Sequence, residues 1–323
     1  MAGTTLEKGA FCISLDFELY WGIRDRVSVE QSRQRLLNTR KAVQAMLGVF
    51  EQSDVHVTWA TVGMLFCQDR EDLLARLPGT LPEYENDNLS PYGYLRENQE
   101  LSAKYHFAPD LIREIQQTPS QEIATHTFSH YYCLEPGQTR AAFKADLLLA
   151  QRIALESGLS MDSLVFPRNQ WNAEYLTVLK ELGIRAYRGN EDHWIYKAGP
   201  KNKQGRLRRG VRLADAYFNL TGHHTHPLPD KDDSEPYCLP ASRFLRPYSR
   251  KLRRLDGLRM SRIKRAMSAA CQRNHVFHLW WHPHNFGKDT AENIAFLKGV
   301  IEHYKKLRDQ HGMASLNMTE LCP

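Results

Sequence analysis

Two histidines four residues apart, in His126-Thr127-Phe128-Ser129-His130, are spaced to hold one divalent metal. A second segment, Phe11–Leu15, is an apolar run that ends in Asp16-Phe17-Glu18. A third, Val276–Trp281, ends in His282-Pro283-His284. Imidazole nitrogens suit Zn²⁺, Co²⁺, Ni²⁺ or Fe²⁺, and two histidines plus one carboxylate leave coordination positions open for water and substrate. Asp16 and Glu18 lie two apart on a strand and share a face, with Phe17 on the other side. One carboxylate can bind the metal while the other takes a proton from water. His282, closing a buried strand, can serve as general acid. Arg168, after Phe166-Pro167, can keep a carboxylate ionised and orient it. Each signal alone also has a plain structural reading, such as a solvated strand end, loop histidines, a core histidine or a surface ion pair. Their co-occurrence at the ends of segments far apart in sequence is what predicts a hydrolytic metalloenzyme.

The elements that must position these residues alternate. Strands are expected at Phe11–Asp16, His56–Val62, Gln121–Thr125, Leu164–Phe166, Arg185–Tyr187, Val276–Trp281 and Ala314–Met318. Helices are expected at Gln31–Phe50, Asp110–Gln117, Gly137–Ser157, Ala173–Leu182 (closed by Gly183) and Thr290 to about Asp309. Leu77–Pro109 reads as a long irregular stretch, a feature that is often functional. Such alternation predicts an α/β fold with a mainly parallel sheet and its chemistry at the C-terminal strand ends. Residues 189–274 break the rhythm and read as an insertion or cap on a single domain spanning 1–323. This segment carries His223, His224 and His226, expected as substrate contacts or loop polarity rather than a second metal site. It also carries a basic stretch, Arg243–Arg273, in which Asp256 is the only acid. An amphipathic helix around Leu252–Met267 would put its Arg and Lys toward solvent, or toward a membrane surface or polyanion. Trp21, Asn169, Gln170 and His284 complete the candidate substrate contacts.

The chain has 323 residues, 42% of them apolar, enough for a full core, and a formal charge of +6. That excess is too small to imply a nucleic-acid partner. Met1–Ala10 contains Thr4, Thr5, Glu7 and Lys8 and lacks the pattern of a signal peptide. No apolar run approaches the ~20 residues of a membrane span. None of the six cysteines forms a CxxC pair. A soluble cytoplasmic protein with reduced cysteines is expected.

Taken in order, Ser14-Leu15-Asp16-Phe17-Glu18, His126-Thr127-Phe128-Ser129-His130, Phe166-Pro167-Arg168 and Leu279-Trp280-Trp281-His282-Pro283 resemble the polysaccharide deacetylase family (the NodB homology domain, carbohydrate esterase family four). The resemblance implies a distorted (β/α)7-type barrel. It implies a divalent metal, commonly zinc, held by Glu18, His126 and His130. The reaction would be hydrolysis of an N-acetyl, or less often O-acetyl, group on a sugar. Asp16 would be the base, Arg168 its orienting partner, and His282 the acid that protonates the leaving amine. The metal and a backbone N–H would stabilise the oxyanion. The chain departs from the family pattern in two places: Phe17 separates its two carboxylates, and the arginine motif reads Pro167-Arg168-Asn169-Gln170. The expected setting is bacterial surface-polysaccharide or other glycan assembly, on an acetylated sugar linked to a nucleotide or lipid whose phosphates the basic stretch would meet. The alternatives are an amidase or deformylase of another C–N bond and a non-catalytic glycan-binding relic.

Overall fold

The structure, a computed structural model, describes residues 8–77, 79–199, 205–230 and 234–323. Met1–Glu7, most of the stretch read for a targeting signal, lie outside the described residues. Among the described residues nine strands make one sheet: β1 (Ala10–Phe17), β2 (Val57–Thr61), β3 (Gln121–Thr125), β4 (Ser163–Leu164), β5 (Ala186–Gly189), β6 (Tyr237–Pro240), β7 (Arg243–Phe244), β8 (Val276–Trp281) and β9 (Ala314–Ser315). The helices are α1 (Val29–Ser53), α2 (Arg70–Ala75), α3 (Pro91–Glu97), α4 (Ala103–His106), α5 (Pro109–Gln117), α6 (Arg140–Glu156), α7 (Ala173–Glu181), α8 (Arg206–Asp215), α9 (Asp256–Arg273) and α10 (Thr290–His311). The stretch expected to be irregular, Leu77–Pro109, contains α3 and α4, each too short to show a helical period.

All the strand pairings are parallel, in the order β6-β5-β4-β3-β2-β1-β8-β7, with β9 beside the start of β1. The two ends of that order are nearly one strand. β6 pairs with β5, and β7, only two residues further on, pairs with β8. Between them Ala241 N–H donates to the Gly189 carbonyl at 3.0 Å and Ser242 N–H to the His278 carbonyl at 2.8 Å. Residues 237–244 thus link the two edges, and the sheet curls into a distorted (β/α) barrel. They belong to the segment expected to be an insertion or cap. That segment therefore builds part of the sheet, and α9 within it packs beside α10.

β1 runs through the centre and is buried along its whole length. Parallel strands covered on both faces read as continuous apolar runs, which is why β1 and β8 are legible in sequence. The two faces differ. Phe11, Ile13, Leu15 and Phe17 pack outward against the helices, whereas Ala10 and Cys12 join a second cluster with Ala60, Ala124, Val165, Ala186 and Leu239. Small residues on that inner face leave room for Ser14 and Asp16, which continue the same alternation.

The approach to α1 is fixed by a capping box. Ser28 accepts from Gln31 N–H, and the Gln31 side chain accepts from Ser28 N–H. Among the described residues no helix is long and apolar enough to cross a membrane.

Candidate active site

Two strand ends deliver the candidate metal-ligand set. Glu18 follows β1 with the inward parity of Asp16. His126 follows β3, with its N–H donating to the Thr61 carbonyl at 2.9 Å. His130 closes the turn that β3 enters. Thr127 and His130 have φ of 62° and 59°, so the chain turns through the left-handed region twice in four residues. Buried Asp146 of α6 holds this turn. Its carboxylate accepts from Phe128 N–H at 2.6 Å, from Ser129 N–H, and from the Ser129 hydroxyl. Burial pushes the Asp146 carboxyl up to about 6, against the opposing pull of those hydrogen bonds.

The ligand atoms of Glu18, His126 and His130 lie within 4.8 Å of one another, all buried. Glu18 Oε2 is 3.0 Å from His130 Nε2 and 3.4 Å from His126 Nε2. His126 Nδ1 donates to the Val165 carbonyl at 2.8 Å, which leaves the Nε2 lone pair aimed at the cluster. That Nε2 is buried and has no hydrogen-bond partner. His130 Nδ1 is 3.0 Å from the Tyr132 hydroxyl. Burial lowers the His130 pKa to about 4, so the ring is neutral at physiological pH and can ligate. Burial opposes the charge on Glu18, yet the surrounding histidines hold its carboxyl well below the usual range. An N₂O donor set with one orphaned nitrogen fits a divalent cation with open positions.

Gly22 makes room for this arrangement. A Cβ there would fall 1.9 Å from Glu18 Cδ. Gly22→Ala is therefore expected to displace the carboxylate and lower metal occupancy while the far-UV circular dichroism stays native. Elemental analysis checks this, and a full metal complement in the variant would contradict it.

Asp16 sits beside the ligands. Arg188 of β5 reaches across the barrel and grips it with both nitrogens, Nη1–Oδ1 at 2.7 Å and Nη2–Oδ2 at 2.9 Å. The guanidinium also donates to Ser14 Oγ and Asn169 Oδ1 and lies 4.3 Å from the Trp280 ring centroid. Burial raises the Asp16 pKa, but Arg188, together with His282 and His126, more than offsets this and the carboxyl stays below its ordinary value. His282 Nε2 stands 3.6 Å from Asp16 Oδ2 and 3.8 Å from Glu18 Oε1. Its side chain is 25% exposed, open to a ligand.

The residue that orients Asp16 is therefore Arg188, not Arg168. Arg168 and Asn169 have φ of 57° and 53°. Past this turn the Arg168 side chain meets Asp25, with Nη2–Oδ2 at 2.6 Å, and lies 4.2 Å from the Tyr132 ring centroid. Its contact with the centre is indirect, through the tyrosine that bonds His130.

The structure separates the expected substrate contacts. Asn169 and Gln170 line a cavity of about 670 Å³ that also holds Asp16 and His282. Trp21 does not line it. Trp21 is 2% exposed and donates from Nε1 to the His106 carbonyl at 2.7 Å, so its role is packing. His284 is buried with Nδ1 3.4 Å from Glu18 Oε1, behind the ligand rather than in the cavity. His223, His224 and His226 are not among the residues lining the cavity. His223 Nδ1 meets Arg262, His224 Nε2 meets Thr221 Oγ1 at 2.7 Å, and His226 bridges its backbone to Val276 of β8. The basic helix also differs from expectation. Arg259 and Arg262 are 2% and 3% exposed, turned inward onto Asp256, the Phe296 ring, Gly222 and His223 rather than to solvent.

Residues 37–187 match the family model "Polysaccharide deacetylase". That region includes both histidines but neither Asp16, Glu18 nor His282. No curated protein matches the chain in sequence. Among solved structures, a Mycobacterium smegmatis protein assigned as a polysaccharide deacetylase superposes with TM-score 0.59 at 14% identity, over 99% of this chain and 91% of the other. PuuE allantoinase gives 0.58 at 12% identity, over 98% and 90%. A Pseudomonas aeruginosa PAO1 protein assigned as a polysaccharide deacetylase gives 0.56 at 10% identity, over 97% and 88%. At such identities these likenesses establish the fold. The sequence match covers a little under half of the chain, so over residues 37–187 the chain resembles the polysaccharide deacetylase family, and along its length it shares the fold of these structures.

Proposed function

We propose that the protein is a metal-dependent hydrolase that removes the N-acetyl group from a sugar in glycan assembly, with bacterial surface polysaccharide as the setting and the cytoplasm as the compartment. The observation that carries this is the convergence of a buried Glu18/His126/His130 cluster with Asp16, which Arg188 holds as an anion, and half-open His282 at the mouth of one cavity.

When bound, a divalent ion such as Zn²⁺ supplies Lewis-acid polarisation of the acyl oxygen and acidifies water. The chain supplies the rest. Glu18 and the two imidazoles hold the ion. Asp16, anionic beside Arg188, would take the proton of the attacking water. His282, within 4 Å of both carboxylates, holds the proton for the departing nitrogen. Trp280 and Phe244 flank its ring edge-on, at 5.6 and 5.9 Å between centroids, and limit its swing.

Two measurements test the reading on purified protein: metal content by elemental analysis, and acetate release from N-acetylglucosamine derivatives. About one transition metal per chain with stoichiometric acetate supports it. A metal-loaded protein that liberates formate or another acid instead moves the reading to a different C–N bond, and cell fractionation tests the compartment.

A further inference from the structure

The cavity that holds Asp16 and His282 has a second character. Six arginines line it: Arg26, Arg168, Arg209, Arg212, Arg243 and Arg246. They come from separate places in the sequence, namely the β1–α1 connection, the turn after β4, helix α8, and β7 with the residues that follow it. The acids in the lining are Asp16 and Glu191. Asp16 is already gripped by Arg188, and Glu191 accepts from Trp280 Nε1 at 3.3 Å. Burial raises the Glu191 carboxyl above its ordinary value, which weakens it further as a counter-charge.

Two of the six arginines have a carboxylate of their own: Arg168 has Asp25 at 2.6 Å and Arg243 has Asp215 at 2.8 Å. Arg26, Arg209 and Arg246 have no ion pair among the described residues. Arg246 is the most telling. It is partly buried, its neighbours include Tyr196, Tyr217 and Arg243, and burial lowers its pKa. A desolvated guanidinium beside like charge and without an acid is costly to maintain. A neutral acetylated sugar would offset little of that cost, because hydroxyls are weak acceptors beside an anion. A phosphate would offset much more, since its oxygens match the guanidinium fork in charge and geometry.

We propose that this arginine wall is a phosphate subsite, and that the substrate is an acetylated sugar carrying a phosphate or diphosphate ester, its acetamido end at the Glu18/His126/His130 cluster and its phosphate at Arg209, Arg246 and their neighbours. A cavity of about 670 Å³, which reaches the cluster through Asp16 and His282, has room for a sugar phosphate. The buried Arg259 and Arg262 of the basic stretch face elsewhere and take no part. The sugar end rests on the deacetylase reading; the phosphate end stands apart from it.

The test is titration calorimetry of the purified full-length chain with inorganic pyrophosphate. Three proteins are compared: wild type, Arg209→Gln/Arg246→Gln, and a control of equal charge change, Arg253→Gln/Arg254→Gln, whose two arginines are exposed and outside the cavity. Circular dichroism and metal content are matched first, so that loss of fold or of a metal-bound anion is visible. Loss of two charged contacts predicts binding about tenfold or more weaker in the cavity variant, with the control like wild type. Equal affinity in all three proteins, or equal loss in both variants, overturns the subsite. Competition then identifies the carrier. Displacement of pyrophosphate by UDP-N-acetylglucosamine assigns the phosphate to a nucleotide, and displacement by a polyprenyl monophosphate in phosphatidylcholine vesicles assigns it to a lipid. Displacement by neither overturns the substrate assignment. The titration reads no hydrolysis, so a failed acetate assay leaves it standing and the reverse also holds.

Discussion

His126→Ala is expected to lose its metal and its hydrolytic activity while keeping the barrel. The imidazole is fully buried, and its Nε2 has no partner except what the cluster can hold. Loss of a group that merely supports a metal ligand costs roughly 10–100-fold in affinity or activity. Loss of the ligand itself should exceed that range, and elemental analysis should find the purified variant essentially metal-free. The fold survives because the backbone tie of residue 126 to Thr61 remains and Asp146 still holds the turn. The structural cost is an unmatched Val165 carbonyl and a small void, on the order of 1–3 kcal/mol in chemical denaturation. A variant that retains wild-type metal and acetate release would remove His126 from the centre, and with it the proposed chemistry.

Arg188→Met is expected to damage both stability and activity, with a distinctive pH dependence. Asp16 and Arg188 are 2% and 1% exposed, so the substitution leaves a buried carboxylate without its fork. Breaking such a pair by removing one partner costs about 3–5 kcal/mol. In the wild type the folded pKa of Asp16 lies below its ordinary value, so the pair's contribution is fully present above the unfolded pKa, ~3.9, and fades as pH falls through the folded value. In the variant the remaining burial pushes the carboxyl upward, and the group protonates on acidification. The stability gap between wild type and Arg188→Met should therefore be widest near neutral pH and narrow toward pH 4. Urea denaturation at several pH values reads it directly. A gap that is constant with pH would mean that Arg188 contributes packing against Trp280 rather than charge. Arg188→Lys should restore part of the stability but not the bidentate grip.

The legible parts of this protein are those with a long enough pattern. β1, β3 and β8 are five to eight residues long and mostly buried, and two of them, Gln121–Thr125 and Val276–Trp281, fall where the sequence places them. The grouping of Glu18 with His126 and His130 could be anticipated because each motif follows such a strand. The missing parts were short or locally unusual. β4 and β7 have two residues each, too few for any period. This is why residues 189–274 read as a cap although they supply the stretch that links the sheet edges. Arg188 was hidden for a related reason. The expected strand stops at Tyr187, one residue short, and an arginine facing a barrel interior contradicts the apolar rule. The available signal was parity, since Arg188 shares a face with Ala186 and that face leads to Asp16. Arg168 misled in the opposite way. Its place at a strand end suited the role, but two successive left-handed residues turned it toward Asp25.

The position of β1 at the centre of the sheet has a consequence for how the protein is made. A ribosome produces β1 well before its partner β8, which emerges about 270 residues later. At ~5–20 residues per second the wait is roughly 13–54 s. Through that interval the edge meant for β8 has no strand beside it, and Phe11 waits for α10, whose Tyr304 ring packs at a tilt against it. The nascent chain therefore carries an apolar, unpaired edge until β8 is made, a hazard that chaperones exist to manage. The candidate site also assembles late relative to its first parts, because about 260 residues separate Asp16 and Glu18 from His282. A prematurely terminated chain that stops short of Val276 is left with an open barrel and an incomplete site.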